Sequence, residues 1–170
     1  GIQLAIKVEQ QLTLLEWFDE RIIDIAVLPL EDANIKETDI VLWQDELVWV
    51  KSKEMDYPLS KPVPLVTFSP NCTYREAALK CLDKHKVEYY VSMESPSLAG
   101  VHGIVSSGMG VTLINRGLMT DDQCEWKEAR AFGQPPTVKF VIRATQLIPE
   151  KLSSTVVSAL KAFSLKTLSA

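Results

Sequence analysis

The chain is poor in the residues that build disulfide frameworks and metal sites. It has only three cysteines, Cys72, Cys81 and Cys124, an odd number with no paired spacing, so a disulfide scaffold is excluded. Its two histidines, His85 and His102, stand at no ligand spacing from other donors, so neither a metal nor any other cofactor is expected. No apolar run approaches the roughly 18 residues that span a bilayer, and no basic-then-apolar leader is present. A cytoplasmic protein without a membrane partner is the expectation. Positive charge is also lacking: 18 Lys and Arg against 22 Asp and Glu leave a net charge of −4, with the basic residues scattered. Direct grip on nucleic acid needs a surplus of them. Nucleophile elbows and phosphate loops are absent, and Gly108-Met109-Gly110 leads into a strand rather than a helix, so it is no dinucleotide loop. The acidic residues are dispersed, and an enzyme is not expected. What is there is ordinary globular composition, 46% hydrophobic over 170 residues, enough for one domain or two small lobes.

Residues 2–8 alternate, with Ile2, Leu4, Ile6 and Val8 on one face, and read as an edge strand. Residues 10–20 read as a helix whose face of Leu12, Leu15 and Phe18 is widened by Leu14 and Trp17. That width fits contact with both a sheet and a second subunit, or a tightly wrapped core helix. Residues 22–28 are almost continuously apolar, as in a strand buried on both faces of a parallel sheet, which makes a compact βαβ unit. Asp24, near that strand's start, is assigned a structural pairing rather than chemistry. Residues 40–52 predict one or two strands, and the stretch around Pro58, Pro62 and Pro64 a hinge. A βαβαβ series follows over 63–68, 73–85, 87–93, 96–107 and 110–115, with Gly108 as a helix stop. A strand at 137–144 and an amphipathic helix at 149–163, with Val156, Leu160 and Phe163 inward, complete the chain. This order predicts two α/β lobes joined by strands near 45–52 and 136–143, with a cleft between them.

Two helix starts carry the polar residues. Thr73 with Glu76 reads as a capping box, and Ser95 with Pro96 as a cap followed by proline in the first turn. Parallel strands would aim both starts at one crevice, where free amides favour a carboxylate, a phosphate or another polar ligand group. Ser69, Asn71, Thr73 and Ser95 add donors and acceptors there; a plain turn followed by a capped helix is the simpler alternative. Cys72, beside a helix N-terminus, is a place for a lowered thiol pKa. Cys81 falls on the apolar side of the same helix, nine positions on. Along a straight helix that is about 13 Å, beyond disulfide reach unless the helix unfolds. Cys124 stands alone in a polar loop.

Residues 20–28 (ERIIDIAVL), 45–50 (DELVWV), 72–83 (CTYREAALKCLD) and 95–115 (SPSLAGVHGIVSSGMGVTLIN) together resemble the effector-binding domain of LysR-type transcriptional regulators over nearly the whole chain. Residues 63–68 and 133–143 look most like the branch that contains motility and exoenzyme repressors. The resemblance implies an α/β, periplasmic-binding-protein-like fold of two Rossmann-like lobes joined by two crossover strands. The first lobe would comprise 1–52 with 137–170 and the second 53–136, the family's first strand and helix lying ahead of residue 1. It implies a small-molecule effector in the cleft, a homodimer (a tetramer in the full-length protein), and DNA contact only through a winged helix-turn-helix outside this chain. Carried onto this sequence, the ligand-binding residues would be Ser69, Asn71, Cys72 and Thr73 at one helix, Ser95 and Ser97 at the next, Thr112, and Pro29 facing them. The peroxide-sensing branch has a cysteine pair with the separation of Cys72 and Cys81, although Arg75 is displaced by one place from its pattern. The alternatives are a solute-binding module without DNA function and a thiol-based redox sensor using Cys72.

Overall fold

The computed structural model describes residues 5–146 and 149–167. Seven strands and four α-helices are seen among them: α1 (Gln11–Asp19), β1 (Ile25–Leu30), β2 (Ile40–Ser52), β3 (Val63–Thr67), α2 (Thr73–Lys84), β4 (Tyr89–Glu94), α3 (Leu98–Ser106), β5 (Thr112–Asn115), β6 (Gln123–Glu125), β7 (Thr137–Ala144) and α4 (Glu150–Thr167). Ile2, Leu4 and the Phe163 side chain lie outside the described residues.

The backbone of the fold is β2, one unbroken strand of 13 residues. Its first half pairs antiparallel with β7, and its second half with β5 and β6. Burial changes along it in step: residues up to Glu46 are exposed or half-buried, and Leu47–Ser52 are buried. From Leu47 the side chains alternate between two cores. Leu47 and Trp49 pack with Leu65, Leu113 and the Ala77, Ala78, Cys81 and Leu82 face of α2. Val48 and Val50 pack with Val66, Ile114 and the Val101 and Val105 face of α3. A period of two therefore places one helix on each side of the sheet. β3 and β4 run parallel, and a parallel bridge from Leu65 to Val111 joins them to the approach of β5. The expected βαβαβ series is present.

The first part of the chain differs from expectation. β1 pairs antiparallel with β7, and its residues alternate between half-buried and buried. Ala26, Leu28 and Leu30 turn inward with Val141 against Leu14, Leu15 and Phe18 of α1. It is not a parallel strand buried on both faces: Ile25, Val27 and Pro29 are apolar yet half-buried, which hid the alternation. Residues 5–10 form no strand, so the βαβ unit is not closed. Ile6 and Val8 are 85% and 90% exposed. Alternation licenses a strand only where a neighbour accepts its backbone bonds, and no described residue pairs with this segment. A buried fork from Arg143 to the Asp39 carboxylate, at 2.8 and 2.7 Å, ties β7 to the approach of β2. The sequence reading missed β6 and three short 3₁₀ turns, which carry no periodic signal at that length.

Candidate functional site

The strand β3 ends at Thr67, and the chain must reverse before α2. Ser69, Pro70 and Asn71 make that reversal, with Asn71 at φ 63°, a left-handed conformation that asparagine tolerates better than most residues. Arg75 fixes the loop by donating to the Phe68 carbonyl at 3.0 Å and to the Glu94 carboxylate. Cys72 follows as the N-cap in extended conformation, its carbonyl accepting from the Glu76 amide at 3.0 Å.

Thr73 is not the capping residue, and the capping box with Glu76 does not form. Thr73 is the first helical residue, 3% exposed, and its hydroxyl reaches across to Gln11 Oε1 at 2.8 Å and the Pro29 carbonyl at 3.0 Å. Its one proton has two acceptors, and it pins the start of α2 to the starts of α1 and the end of β1. The second helix start also shifts. Ser97, not Ser95, caps α3, accepting from the Gly100 amide at 3.2 Å. Ser95 is buried and forms a tight turn, its Oγ accepting from the Ser97 amide at 3.3 Å. Proline at 96 precedes the cap rather than opening the helix.

Beside the Thr73 bridge lies a largely apolar cavity of about 820 Å³. Pro29, Ser69, Asn71 and Cys72 line it, with Tyr74, Gln11 and Pro96, and Val156 and Leu160 of α4 close it from another side. Thr73, Ser95, Ser97 and Thr112 are not on its wall. Thr73 is held in its bridge, and Thr112 is the buried first residue of β5, opposite Val50, whereas the carboxyl end of that strand is Asn115. Gln11 and Tyr74 were not anticipated, because on a helical pattern they read as a surface amide and a packing ring. Burial pushes the Tyr74 hydroxyl well above its ordinary range, and the Cys72 thiol and Asp45 carboxylate add to this. Asn115 was missed too: it is 1% exposed, and neither amide atom has a hydrogen-bond partner among the described residues.

The thiols do not show the lowered pKa expected at a helix start. Burial raises the Cys72 thiol, outweighing the Tyr74 and Arg75 backbone amides that pull it down, and burial likewise raises Cys81. Cys81 donates to the Phe132 carbonyl at 3.2 Å, and all three cysteines are free. Among the described residues no cluster of His, Cys, Asp and Glu fits a metal ion, and no helix is long and apolar enough to cross a membrane.

The regulatory domain of HypT from Salmonella typhimurium in its bromide-bound form superposes with a TM-score of 0.74 at 16% identity, covering 93% of this chain and 82% of that one. The CcmR regulatory domain of Synechocystis PCC6803 in complex with 2-PG gives 0.74 at 15% identity, covering 96% and 84%. These likenesses show the fold, the α/β arrangement of periplasmic-binding-protein type. In sequence, the HTH-type transcriptional regulator DgdR of Burkholderia cepacia is 28% identical over 103 residues, 61% of this chain. The chain spans about a third of that relative's length, the matched share being 34%. The family model described as LysR substrate binding domain matches residues 1–161. The chain belongs to the LysR substrate-binding domain family, the effector-binding domain of LysR-type transcriptional regulators.

Proposed function

We propose that this domain senses a small molecule held between two lobes and passes the change to a winged helix-turn-helix elsewhere in a bacterial transcription factor. The observation that carries the reading is the cavity beside the Thr73 bridge, of a size typical for small-molecule sites, with a few polar groups set in an apolar wall. Residues 1–52 with 137–170 make one lobe and residues 53–136 the other, the Leu47–Ser52 half of β2 crossing over to complete the second lobe's sheet. Pro29, Ser69, Asn71, Cys72 and Tyr74 contact the effector, and Thr73 of the second lobe reports closure because its hydroxyl bonds across to Gln11 and Pro29 of the first. Ser95, Ser97 and Thr112 act from behind the wall or on closure. The ligand works by population shift: it favours whichever lobe arrangement it binds better, and this alters the spacing of two subunits. The protein acts as a cytoplasmic homodimer, a tetramer at full length, and as a regulator rather than an enzyme; its branch is that of the motility and exoenzyme repressors.

A thermal-shift screen of small carboxylic acids and aromatic metabolites tests this on the wild type and on Asn71→Gly, which removes the amide and keeps the left-handed backbone. A compound that stabilises the wild type and not the variant supports the site; stabilisation that ignores Asn71 counts against it. A thiol sensor is the weaker reading, since both Cys72 and Cys81 are held protonated by burial. Peroxide treatment followed by mass spectrometry decides it: a Cys72–Cys81 bond favours the sensor, and an unchanged thiol count removes it.

A further inference from the structure

We infer that the effector is an uncharged, mainly aliphatic molecule with one hydrogen-bonding head, of the long-chain alcohol or amide class; the inference rests on the larger cavity being the effector site. The apolar side chains of its wall are open to an occupant. Ile6, Val8, Leu12 and Ile22 all line it, and all four are exposed, the least so at 43%. Val27 of β1 and Val156 of α4 add branched carbons from other sides. Contiguous apolar surface left facing water on a folded domain marks a place that a ligand covers. The volume sets the size of that ligand's body. An apolar cavity of about 150 Å³ already holds a benzene-sized ring, whereas this one measures about 820 Å³.

The head is neutral because the wall offers nothing to hold an anion. Lys7 is the one cation among the described lining residues, and its ammonium lies over the Trp17 ring, 4.9 Å from the centroid. Glu9, also in the lining, directly precedes the Gln10 cap of α1, so that helix start already has a carboxylate beside it. At the start of α2 the Tyr74 and Arg75 amides are aimed at the Cys72 sulfur, which burial keeps as the neutral thiol. A carboxylate or phosphate would therefore leave water for this wall without a partner, which is strongly unfavourable. The polar groups that remain available are neutral. The Ser69 and Asn71 side chains make no hydrogen bond among the described residues, and Gln11, whose Oε1 is taken by Thr73, keeps its amide N–H groups. Such donors and acceptors match a single hydroxyl or amide head.

The test is a calorimetric titration of the whole chain with hexan-1-ol and octan-1-ol, each below its solubility limit, against octanoate and octylamine at neutral pH. The expected result is saturable binding of the alcohols with a negative heat-capacity change. Each added methylene tightens it by about fourfold, and octanoate and octylamine are each weaker than octan-1-ol by about tenfold. Ile22→Asn and Leu12→Asn, at exposed wall positions, weaken octan-1-ol by about tenfold, while Met109→Asn, 56% exposed and outside the cavity, leaves it unchanged. A melting temperature recorded for each variant separates lost binding from lost fold. Octanoate or octylamine binding as tightly as octan-1-ol overturns the inference, as does affinity that ignores chain length or both wall variants. So does the absence of saturable heat for either alcohol, the outcome if a polypeptide segment covers this face. The sensor reading stands or falls separately, on a compound of any charge whose stabilisation depends on Asn71.

Discussion

Replacing Thr73 by valine removes one hydroxyl and little volume, and the structure says where the loss falls. The hydroxyl is buried and faces Gln11 Oε1 at 2.8 Å and the Pro29 carbonyl at 3.0 Å. A net intramolecular hydrogen bond contributes about 0.5–1.5 kcal/mol, and a buried acceptor left without its donor costs about 1–3 kcal/mol. Gln11 is half-exposed and regains water, so the penalty is confined to the strand carbonyl. A destabilisation of about 1–2 kcal/mol follows, which for a domain of this size lowers Tm by about 2–8 °C. Urea unfolding followed by circular dichroism measures it, with an unchanged slope showing that neither end state has altered. A double-mutant cycle locates it. Thr73→Val with Gln11→Ala should show coupling of at least about 0.5 kcal/mol, and Thr73→Val with Glu76→Ala should show about none. A capping box would reverse that order. Coupling to Glu76 rather than Gln11, or a Thr73→Val protein as stable as the parent, would refute the bridge and with it the role given to Thr73 in closure.

Other expected outcomes are equally specific. Asn115→Leu removes a buried amide that makes no hydrogen bond among the described residues, and is expected to raise stability by about 1 kcal/mol; a lower urea midpoint would mean that the amide has a partner in solution. Burial raises the Asp39 carboxyl pKa, but the Arg143 hydrogen bond, the Lys36 amide and the Arg143 charge together bring it below its ordinary value. Its contribution is therefore present above the unfolded carboxylate pKa and is lost as pH falls through the depressed folded one. Wild type should lose stability in that acid range faster than Asp39→Asn, as read from urea midpoints at neutral and acid pH. Gly100→Ala places a Cβ 2.0 Å from Ser95 Oγ and 3.0 Å from Ser95 Cβ. It should cost about 1–3 kcal/mol by displacing the Ser95–Ser97 turn, and a thermal melt indistinguishable from wild type would show that Ser95 simply rotates away.

Patterns of local chemistry were legible before any coordinates. The apolar run of residues 63–68, the helices read over 73–85 and 96–107, and the stop at Gly108, with φ 78°, all depend on nearest neighbours along the chain. So did the clustering of Ser69, Asn71 and Cys72, because a strand-to-helix reversal must place its polar turn residues together. The likeness carried by residues 95–115 pointed to the family for the same reason: it is a run of contiguous residues.

What the sequence alone determined, then, was the α/β class, the βαβαβ order over residues 63–115 and one wall of the larger cavity. Only the tertiary structure decided which strand lies beside which: that β1 runs antiparallel to β7, that residues 5–10 find no strand partner, and that the Thr73 hydroxyl faces Gln11 and Pro29 rather than its own helix. The physical reason is common to all three. Hydrogen-bond partners more than 40 residues away compete with local ones, and a hydroxyl or a strand edge takes whichever the folded chain brings within about 3 Å.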